Sequence, residues 1–235
     1  MSITESLQSA YLLHSRDYRD TSLIVELFTL QQGRVSAVAR GARSVRHGSS
    51  QRAILQPFQP LWLEVVGHTD LKSLRQVETR AAAITLRGKS LFGALYLNEL
   101  LCRLLHRDDA NSELFADYEN TLQQLSNDNL LDVVLRHFEL RLLDALGYGF
   151  SLTHVTDSGT EIVPGLLYDF DAQRGLTRNR MANPHAINGS DIIDFLQGIY
   201  SPAARRALKQ ICRQALRPHL GTKPLSSREL FVSDR

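Results

Sequence analysis

Arginine is the residue type that dominates the chemistry available to this chain. Residues 38–52 read VARGARSVRHGSSQR and hold four arginines, two glycines and a histidine without one carboxylate. Guanidinium groups donate hydrogen bonds to phosphate oxygens, and segregated positive charge is the footprint of a polyanion-binding surface. A solubilising loop is the alternative, but charge kept for solubility is usually mixed in sign. The segment is therefore predicted to bind phosphates.

A second stretch has the same character. The net charge is only +2, yet neither residues 27–63 nor residues 195–228 contain Asp or Glu. In SPAARRALKQICRQALRP, residues 201–218, cations recur at i, i+4 opposite a stripe of Ala, Leu and Ile. This pattern predicts a helix with one core face and one basic face, although a merely solvated face is the alternative. The candidate residues for binding nucleic-acid phosphates are Arg34, Arg40, Arg43, Arg46, Arg52, Lys72, Arg75, Arg205, Lys209, Arg213, Arg217, Lys223 and Arg228.

The residues of common catalytic and metal sites are not arranged for chemistry. The motifs G-x-x-x-x-G-K-[ST], G-x-G-x-x-G, H-E-x-x-H, G-x-S-x-G and C-x-x-C are all absent from the sequence. Cys102 and Cys212 stand alone, which favours reduced core thiols over a structural zinc. We expect no enzyme activity, no cofactor and no metal.

The elements that position the basic residues are predicted from hydrophobic periodicity. Residues 8–80 contain five short runs rich in Val, Leu, Phe and Tyr, separated by the turn-forming segments DYRD, QQG and GHTD. In GRVSAVAR, Val35, Ala37 and Ala39 share one face, as in a strand buried on one side. Five strands with a long basic loop in the middle predict an OB-fold barrel, although a small SH3-like barrel gives nearly the same pattern.

Helices follow the barrel, so the predicted class is α+β. The helical period begins near residue 88 and gives three helices up to Gly147, which we interpret as a bundle. Residues 151–189 are a loop-rich insertion with a hairpin in LLYDFDAQRGLTR, and helices then resume. The predicted regions are an OB-fold at 1–80, a central helical bundle at 81–150 and a C-terminal region at 151–235. No segment has the length of a membrane span and MSITESLQSAYLL lacks a basic signal region, so we expect a cytoplasmic protein.

Aromatic and apolar residues near the basic segments need separate interpretations. Trp62, Phe58 and Tyr18 are candidate platforms for stacking nucleic-acid bases. The apolar run around Trp62 nevertheless favours a core position for that residue. Near the C-terminus, Leu230 and Phe231 are predicted to anchor the chain back onto the protein.

Six ordered blocks resemble the bacterial RecO family of recombination mediators. They are LHSRDYRDTSLIVELFT, GRVSAVARGARS, LQPFQPLWLEV, LYLNELLCRLL, RHFELRLLDALGYG and LGTKPLSSRELF. The resemblance implies an N-terminal OB-fold, a central helical bundle and a C-terminal region that in many relatives holds a four-cysteine zinc site. This chain departs from that pattern, because LTHVTDSGTEIV offers only His154 as a ligand. One ligand cannot close a tetrahedral site, so we expect packing to hold the hairpin.

The family also implies a function without catalysis. RecO-like proteins bind single- and double-stranded DNA, anneal complementary strands and associate with RecR. They also contact the acidic C-terminal tail of the single-stranded-DNA-binding protein SSB, and so help RecA to replace SSB during recombinational repair. These properties imply DNA as a ligand, SSB and RecR as direct partners, RecA as an indirect one, and a nucleoid-associated location without a membrane.

The SSB tail calls for basic residues beside an apolar pocket. Arg136 is the leading candidate for this role and Arg141 the second. The alternative for Arg136 is an i, i+4 ion pair with Asp132. For the whole protein, the alternative to a DNA-annealing mediator is a protein-interaction adaptor whose basic faces bind acidic partner tails and whose DNA binding is incidental.

Overall fold

The computed structural model describes residues 7–44, 51–127, 130–179 and 183–231, without the side chain of Arg228. Their contacts divide the chain into two compact units. The first unit runs to Asn129 and resumes at Pro224, and the second unit is Leu130–Lys223. The second unit is therefore inserted between two segments of the first.

A closed five-stranded barrel begins the first unit. Its strands are β1 (Gln8–Tyr18), β2 (Ser22–Thr29), β3 (Gly33–Ala39), β4 (Leu61–Val66) and β5 (Leu71–Thr79). They follow the order β1-β2-β3-β5-β4, and β4 pairs with β1 to close the barrel. The β3–β5 pair is parallel and the others are antiparallel. This Greek-key order confirms the predicted OB-fold.

Alternation along the strands fills the barrel interior. Val35, Ala37 and Ala39 of β3 lie in its apolar core, as the sequence predicts. On β4 the residues with odd numbers, Leu61 to Val65, point inward, so Trp62 faces outward and is 39% exposed. The expectation that Trp62 belongs to the core is therefore wrong, because a run that is apolar on both faces hides which face is the inner one.

Helices cover part of the outside of the barrel. The short helix α1 (Gln51–Ile54) lies between β3 and β4, and the longer helices α2 (Gly88–Leu104) and α3 (Ser112–Ser126) follow β5. The rings of Tyr11 and Phe28 pack against Phe115 and Tyr118 of α3 with centroid separations of 5.3–5.9 Å. This aromatic cluster joins α3 to the first two strands.

The segment after residue 223 returns to α2. Leu225 is buried, and Phe231 stacks edge to face on Phe92 of α2 with 5.8 Å between ring centroids. The Glu99 carboxylate accepts hydrogen bonds from the amides of Ser226 and Ser227, at 3.0 and 2.9 Å, and from the Ser227 hydroxyl at 2.7 Å. We call this arrangement around Glu99 the C-terminal clasp. The contact between Phe231 and Phe92 confirms that Phe231 anchors the chain, whereas an anchoring role for Leu230 stays a prediction. The segment contains the short helix α7 (Ser227–Leu230).

The second unit combines three helices with a small sheet. It contains α4 (Leu131–Ala145), β6 (Leu167–Asp171), β7 (Gly175–Arg178), β8 (Ile187–Asn188), α5 (Gly189–Leu196) and α6 (Pro202–Leu216), with a 3₁₀ turn at Arg217–His219. The β6–β7 hairpin is the predicted one, and β8 adds a third strand on the other side of β6. Buried residues of all these layers, among them Leu176, Ile192, Phe195 and Leu208, form one core.

The contacts group the helices differently from the regions suggested by the sequence. Helices α2 and α3 belong to the unit of the barrel, whereas α4 belongs to the second unit. The sequence placed all three helices in 81–150, and as a statement about independent domains that division stays a prediction. Within the described part of the chain, no helix combines the length and the apolar character required to cross a bilayer.

Candidate nucleic-acid interface

Backbone hydrogen bonds gather predicted arginines at one end of the barrel. The amide of Arg43 donates to a carbonyl of the β1–β2 turn at 2.9 Å, and the amide of Arg52 donates to the carbonyl of Ala42 at 3.1 Å. Arg40 and Arg52 are exposed. Arg40 shows no hydrogen bond or ion pair from its side chain within the described part of the chain. Arg46 lies outside the described residues.

The β1–β2 hairpin adds two cations that the sequence analysis missed. Arg16 and Arg19 are exposed, and the guanidinium of Arg19 lies 5.1 Å from the centroid of the Tyr18 ring. The backbone carbonyl of Arg19 also accepts a bond from Arg43 at 3.5 Å, while Asp17 pairs with Arg43 at 3.3 Å. The turn sequence DYRD is mixed in charge, and only the barrel brings it beside the basic loop. We call Arg16, Arg19, Arg40, Arg43 and Arg52 the barrel-end arginines.

Three other predicted cations of the barrel are held by acids of the same unit. Arg34 is mostly buried, lies 3.7 Å from Glu26 and donates to the carbonyl of Cys102 at the end of α2. The side chain of Lys72 is only 11% exposed and bonds Asp108 at 2.8 Å. Arg75 is 68% exposed and pairs with Glu64 at 3.4 Å. Arg34 and Lys72 thus link elements within the first unit, and their DNA-binding role stays a prediction.

The candidate stacking residues lie in three different environments. Trp62 is outward on β4, and the Arg80 guanidinium lies 6.0 Å from its ring. Phe58 is buried, and its φ of +62° is unusual for a residue with a side chain. Tyr18 is half-buried under Arg19. Of these three residues, Trp62 and Tyr18 therefore offer ring surface to a ligand, whereas Phe58 does not.

Helix α6 has the two-faced structure that its sequence predicts. Ser201 caps it by accepting from the amide of Ala204 at 3.1 Å, and Pro202 occupies the first turn. Ala204, Ala207, Leu208, Ile211, Cys212, Ala215 and Leu216 are buried. Lys209, Arg213 and Arg217 are exposed at successive turns. None of these three has a hydrogen bond from its side chain or an ion pair among the described residues, so we call them the α6 ladder.

Another predicted cation of this region, Arg205, is held by an acid of the same unit. Arg205 forms a bidentate ion pair with Asp132 of α4, in which Nε and Nη2 of Arg205 lie 2.7 and 2.6 Å from the two carboxylate oxygens. Hydrogen bonding to Asp132, together with its charge, raises the pKa of Arg205 despite some opposing desolvation. Lys223 is exposed, and the side chain of Arg228 is outside the described part. Arg205 therefore joins α6 to α4.

Arg136 and Arg141 differ sharply in accessibility. Arg136 is only 7% exposed, and its guanidinium lies 2.6 Å from the carboxylate of Glu139, which is fully buried. The ion pair with Asp132 considered for Arg136 is wrong, since Asp132 binds Arg205. Arg141 is exposed on α4, and its charge adds to the effect of burial in lowering the pKa of His137. An arginine at the rim of a pocket for the tail needs an accessible guanidinium. Of the two candidates, Arg141 is exposed and Arg136 is buried.

The region in which many relatives are expected to hold zinc is organised here by packing and polar contacts. His154 bonds the hydroxyl of Thr153 at 2.8 Å, and buried Leu152, Val155 and Ile162 secure this segment to the core of the unit. Within the ranges that the structure describes, no three His, Cys, Asp or Glu side chains form a group able to hold a metal.

Neither cysteine is disposed for nucleophilic chemistry. Burial, reinforced by the charge of Glu26, raises the pKa of Cys102 to about 12. Burial also raises the pKa of the Cys212 thiol well above its usual value. Both thiols are therefore protonated at neutral pH, as expected of reduced core cysteines.

Two family models match nearly the whole chain. Residues 1–83 match the model described as Recombination protein O N terminal, and residues 87–229 match Recombination protein O C terminal. The protein named DNA repair protein RecO from Actinobacillus succinogenes is 40% identical over 229 residues, covering 97% of this chain and 96% of the relative. Proteins of the same name from Pseudomonas paraeruginosa and Pseudoalteromonas atlantica are 43% and 40% identical, over 96% and 95% of this chain and 94% and 92% of their own lengths.

Proposed function

Because the chain belongs to the RecO family, we propose that it is a DNA repair protein that binds single- and double-stranded DNA and anneals complementary strands. With RecR, it helps to load RecA onto DNA coated by SSB. This role places it in the cytoplasm at the nucleoid. The protein acts by binding and carries out no catalytic step.

The α6 ladder is the observation that carries this proposal. Lys209, Arg213 and Arg217 present one cation per helical turn, about 6 Å apart along the axis. Residues 202–216 include no acid that could neutralise them. Such a row binds the phosphate backbone, which supplies affinity without reading sequence.

Annealing follows from having a basic surface on each unit. The barrel-end arginines belong to the first unit and the α6 ladder to the second. Two polyanionic strands repel each other, so a mediator must neutralise phosphates on both strands and leave the bases free to pair. Contacts limited to phosphates meet both requirements, because base edges stay unoccupied.

Paired charge reversals test this proposal. One variant combines Arg40→Glu with Arg52→Glu, and a second combines Lys209→Glu with Arg213→Glu. Each should weaken binding of labelled single strands and duplexes in fluorescence anisotropy, and flatten the dependence on salt between about 50 and 200 mM. The control combines Arg87→Glu with Lys89→Glu. It produces the same change in net charge at exposed positions outside both basic surfaces.

The annealing rate of complementary oligonucleotides is the deciding measurement. We expect the native protein to accelerate annealing, with an acceleration that falls as salt rises, and each of the two reversals to reduce it. If the native protein does not exceed the spontaneous rate, or if its effect is flat across the salt series, the annealing proposal is wrong.

The adaptor alternative would use the same exposed cations of the α6 ladder to bind the carboxylates of an acidic partner tail. An adaptor should bind acidic peptides with the same affinity in the presence and in the absence of DNA. It should not raise the annealing rate above the spontaneous rate. The salt series above therefore separates the two functions.

The contact with the SSB tail is proposed for Arg141, with Arg136 supporting the helix behind it. Arg141 is exposed on α4, whereas Arg136 is engaged with Glu139. Arg141→Ala should weaken binding of an SSB tail peptide in an anisotropy titration. The matched control is Arg178→Ala, an exposed arginine on β7 of the same unit. Equal affinity of Arg141→Ala and native protein would remove Arg141 from the tail site.

A further inference from the structure

Tyr148 is an exposed aromatic residue beside the end of the α6 ladder. Its ring stacks on His219 with 3.8 Å between centroids and 18° between the ring planes. His219 ends the 3₁₀ turn that follows α6, two residues after Arg217, the last cation of the ladder. Tyr148 is still 46% exposed. His219 thus covers one face of the ring, while Tyr148 as a residue stays open to solvent.

The backbone of Tyr148 is fixed in advance by the end of α4. The amide of Gly147 bonds the carbonyl of Asp144 at 3.0 Å, and the amide of Tyr148 bonds the carbonyl of Leu143 at 2.8 Å. These two bonds form a Schellman motif, in which Gly147 has the left-handed φ of +78°. In this motif the residue at the position of Tyr148 usually makes an apolar contact with its own helix. Here its ring stacks instead on another element.

We infer that Tyr148, supported by His219, is a stacking platform for one base of a single DNA strand whose phosphates bind the α6 ladder. This inference rests on the proposed function and adds a preference for single strands. Aromatic rings beside a basic track are the usual means of binding single-stranded nucleic acid without reading sequence. A duplex cannot use the platform, because its bases are stacked within the helix.

The local charge favours a base over a phosphate at Tyr148. Asp144, exposed on the last turn of α4, packs against Gly149. A phosphate at this point would be repelled by the carboxylate, while the uncharged face of a base would not. The phosphate contacts therefore belong to Lys209, Arg213 and Arg217, and the ring contact belongs to Tyr148.

A cycle of protein and DNA changes tests the platform on the full chain. The protein variant is Tyr148→Ala, and the probes are a labelled oligothymidylate of about 20 nucleotides and the same backbone without bases. Tyr148→Ala should weaken binding of the oligothymidylate by roughly 5- to 20-fold. It should leave the affinities for the abasic strand and for a duplex unchanged. Tyr148→Phe should retain native affinity.

The controls distinguish stacking from lost packing. Ile199→Ala removes an equally exposed apolar side chain of the same unit, 51% exposed, and should not affect the oligothymidylate. Equal weakening of normal and abasic strands by Tyr148→Ala would overturn the inference, because it would show a loss that does not involve bases. Native DNA affinity in Tyr148→Ala would also overturn the inference, even if this variant lost the binding of an acidic peptide. Failure of the native protein to bind any DNA would instead refute the proposed function.

Discussion

At the scale of single residues, the buried ion pair of Arg136 and Glu139 should be highly sensitive to substitution. Glu139 is fully buried and Arg136 nearly so, with 2.6 Å between them. Arg136→Ala should lower the free energy of unfolding by about 3–5 kcal/mol, because it leaves a buried carboxylate without its cation. Urea denaturation followed by circular dichroism measures this change.

A double variant separates the lost charge from the lost volume. Arg136→Met with Glu139→Leu removes both charges and keeps apolar volume, so it should recover most of the stability lost by Arg136→Ala. If Arg136→Ala unfolds at the native urea concentration, the pair has no structural role. Glu139 lies at i, i+3 from Arg136, a spacing that the sequence does show, but only the i, i+4 acid Asp132 was considered. Asp132 pairs instead with Arg205, which lies 73 residues further along the chain, and that contact has no local signal.

At the scale of elements, the C-terminal clasp should depend on pH. Burial alone would raise the pKa of Glu99, but hydrogen bonds from Ser227 and Ser226, with the charge of Arg103, lower it below the ordinary 4.5. A carboxylate whose pKa is lower in the folded state stabilises that state above pH 4.5, and this stabilisation is lost as the pH falls through the folded pKa. At neutral pH, Glu99→Gln should therefore have a lower free energy of unfolding than native protein. The difference between the two free energies should narrow as the pH falls below 4.5.

Urea midpoints measured across this pH range provide the test. Glu113→Gln, at an exposed position on α3, is the control and should retain the native pH profile. A Glu99→Gln profile parallel to that of native protein would show that the clasp is not ionic.

The elements themselves were largely predictable, because each of the long ones has a clear period. The five barrel strands, the β6–β7 hairpin and the cap Ser201 all follow from local sequence. Strand β8 was missed because two residues, Ile187 and Asn188, are too short to show alternation. The outward position of Trp62 was missed for a related reason, since both of its sequence neighbours are leucines. The proximity of Tyr148 to His219 depends on tertiary packing and has no local signal.

At the scale of the whole molecule, the first unit needs residues from far along the chain. A chain ending at Lys223 lacks Leu225, Phe231 and the two serines that donate hydrogen bonds to Glu99. The free energy of unfolding of its first unit should be lower by about 3 kcal/mol or more. Trp62 is the only tryptophan and lies in that unit, so its fluorescence reports the transition. A chain ending at Phe231 is the matched control and should unfold like native protein. Identical tryptophan transitions for all three chains would show that the clasp contributes nothing to the barrel unit.

The return of the chain to its first unit also sets an order of events during synthesis. A ribosome releases residues 130–223 before residues 224–231, so the barrel unit has to wait for its clasp while the second unit is already complete. The barrel emerges first and yet is finished last. A nonsense mutation just after residue 223 would therefore act at a distance, weakening the part of the protein that was translated earliest.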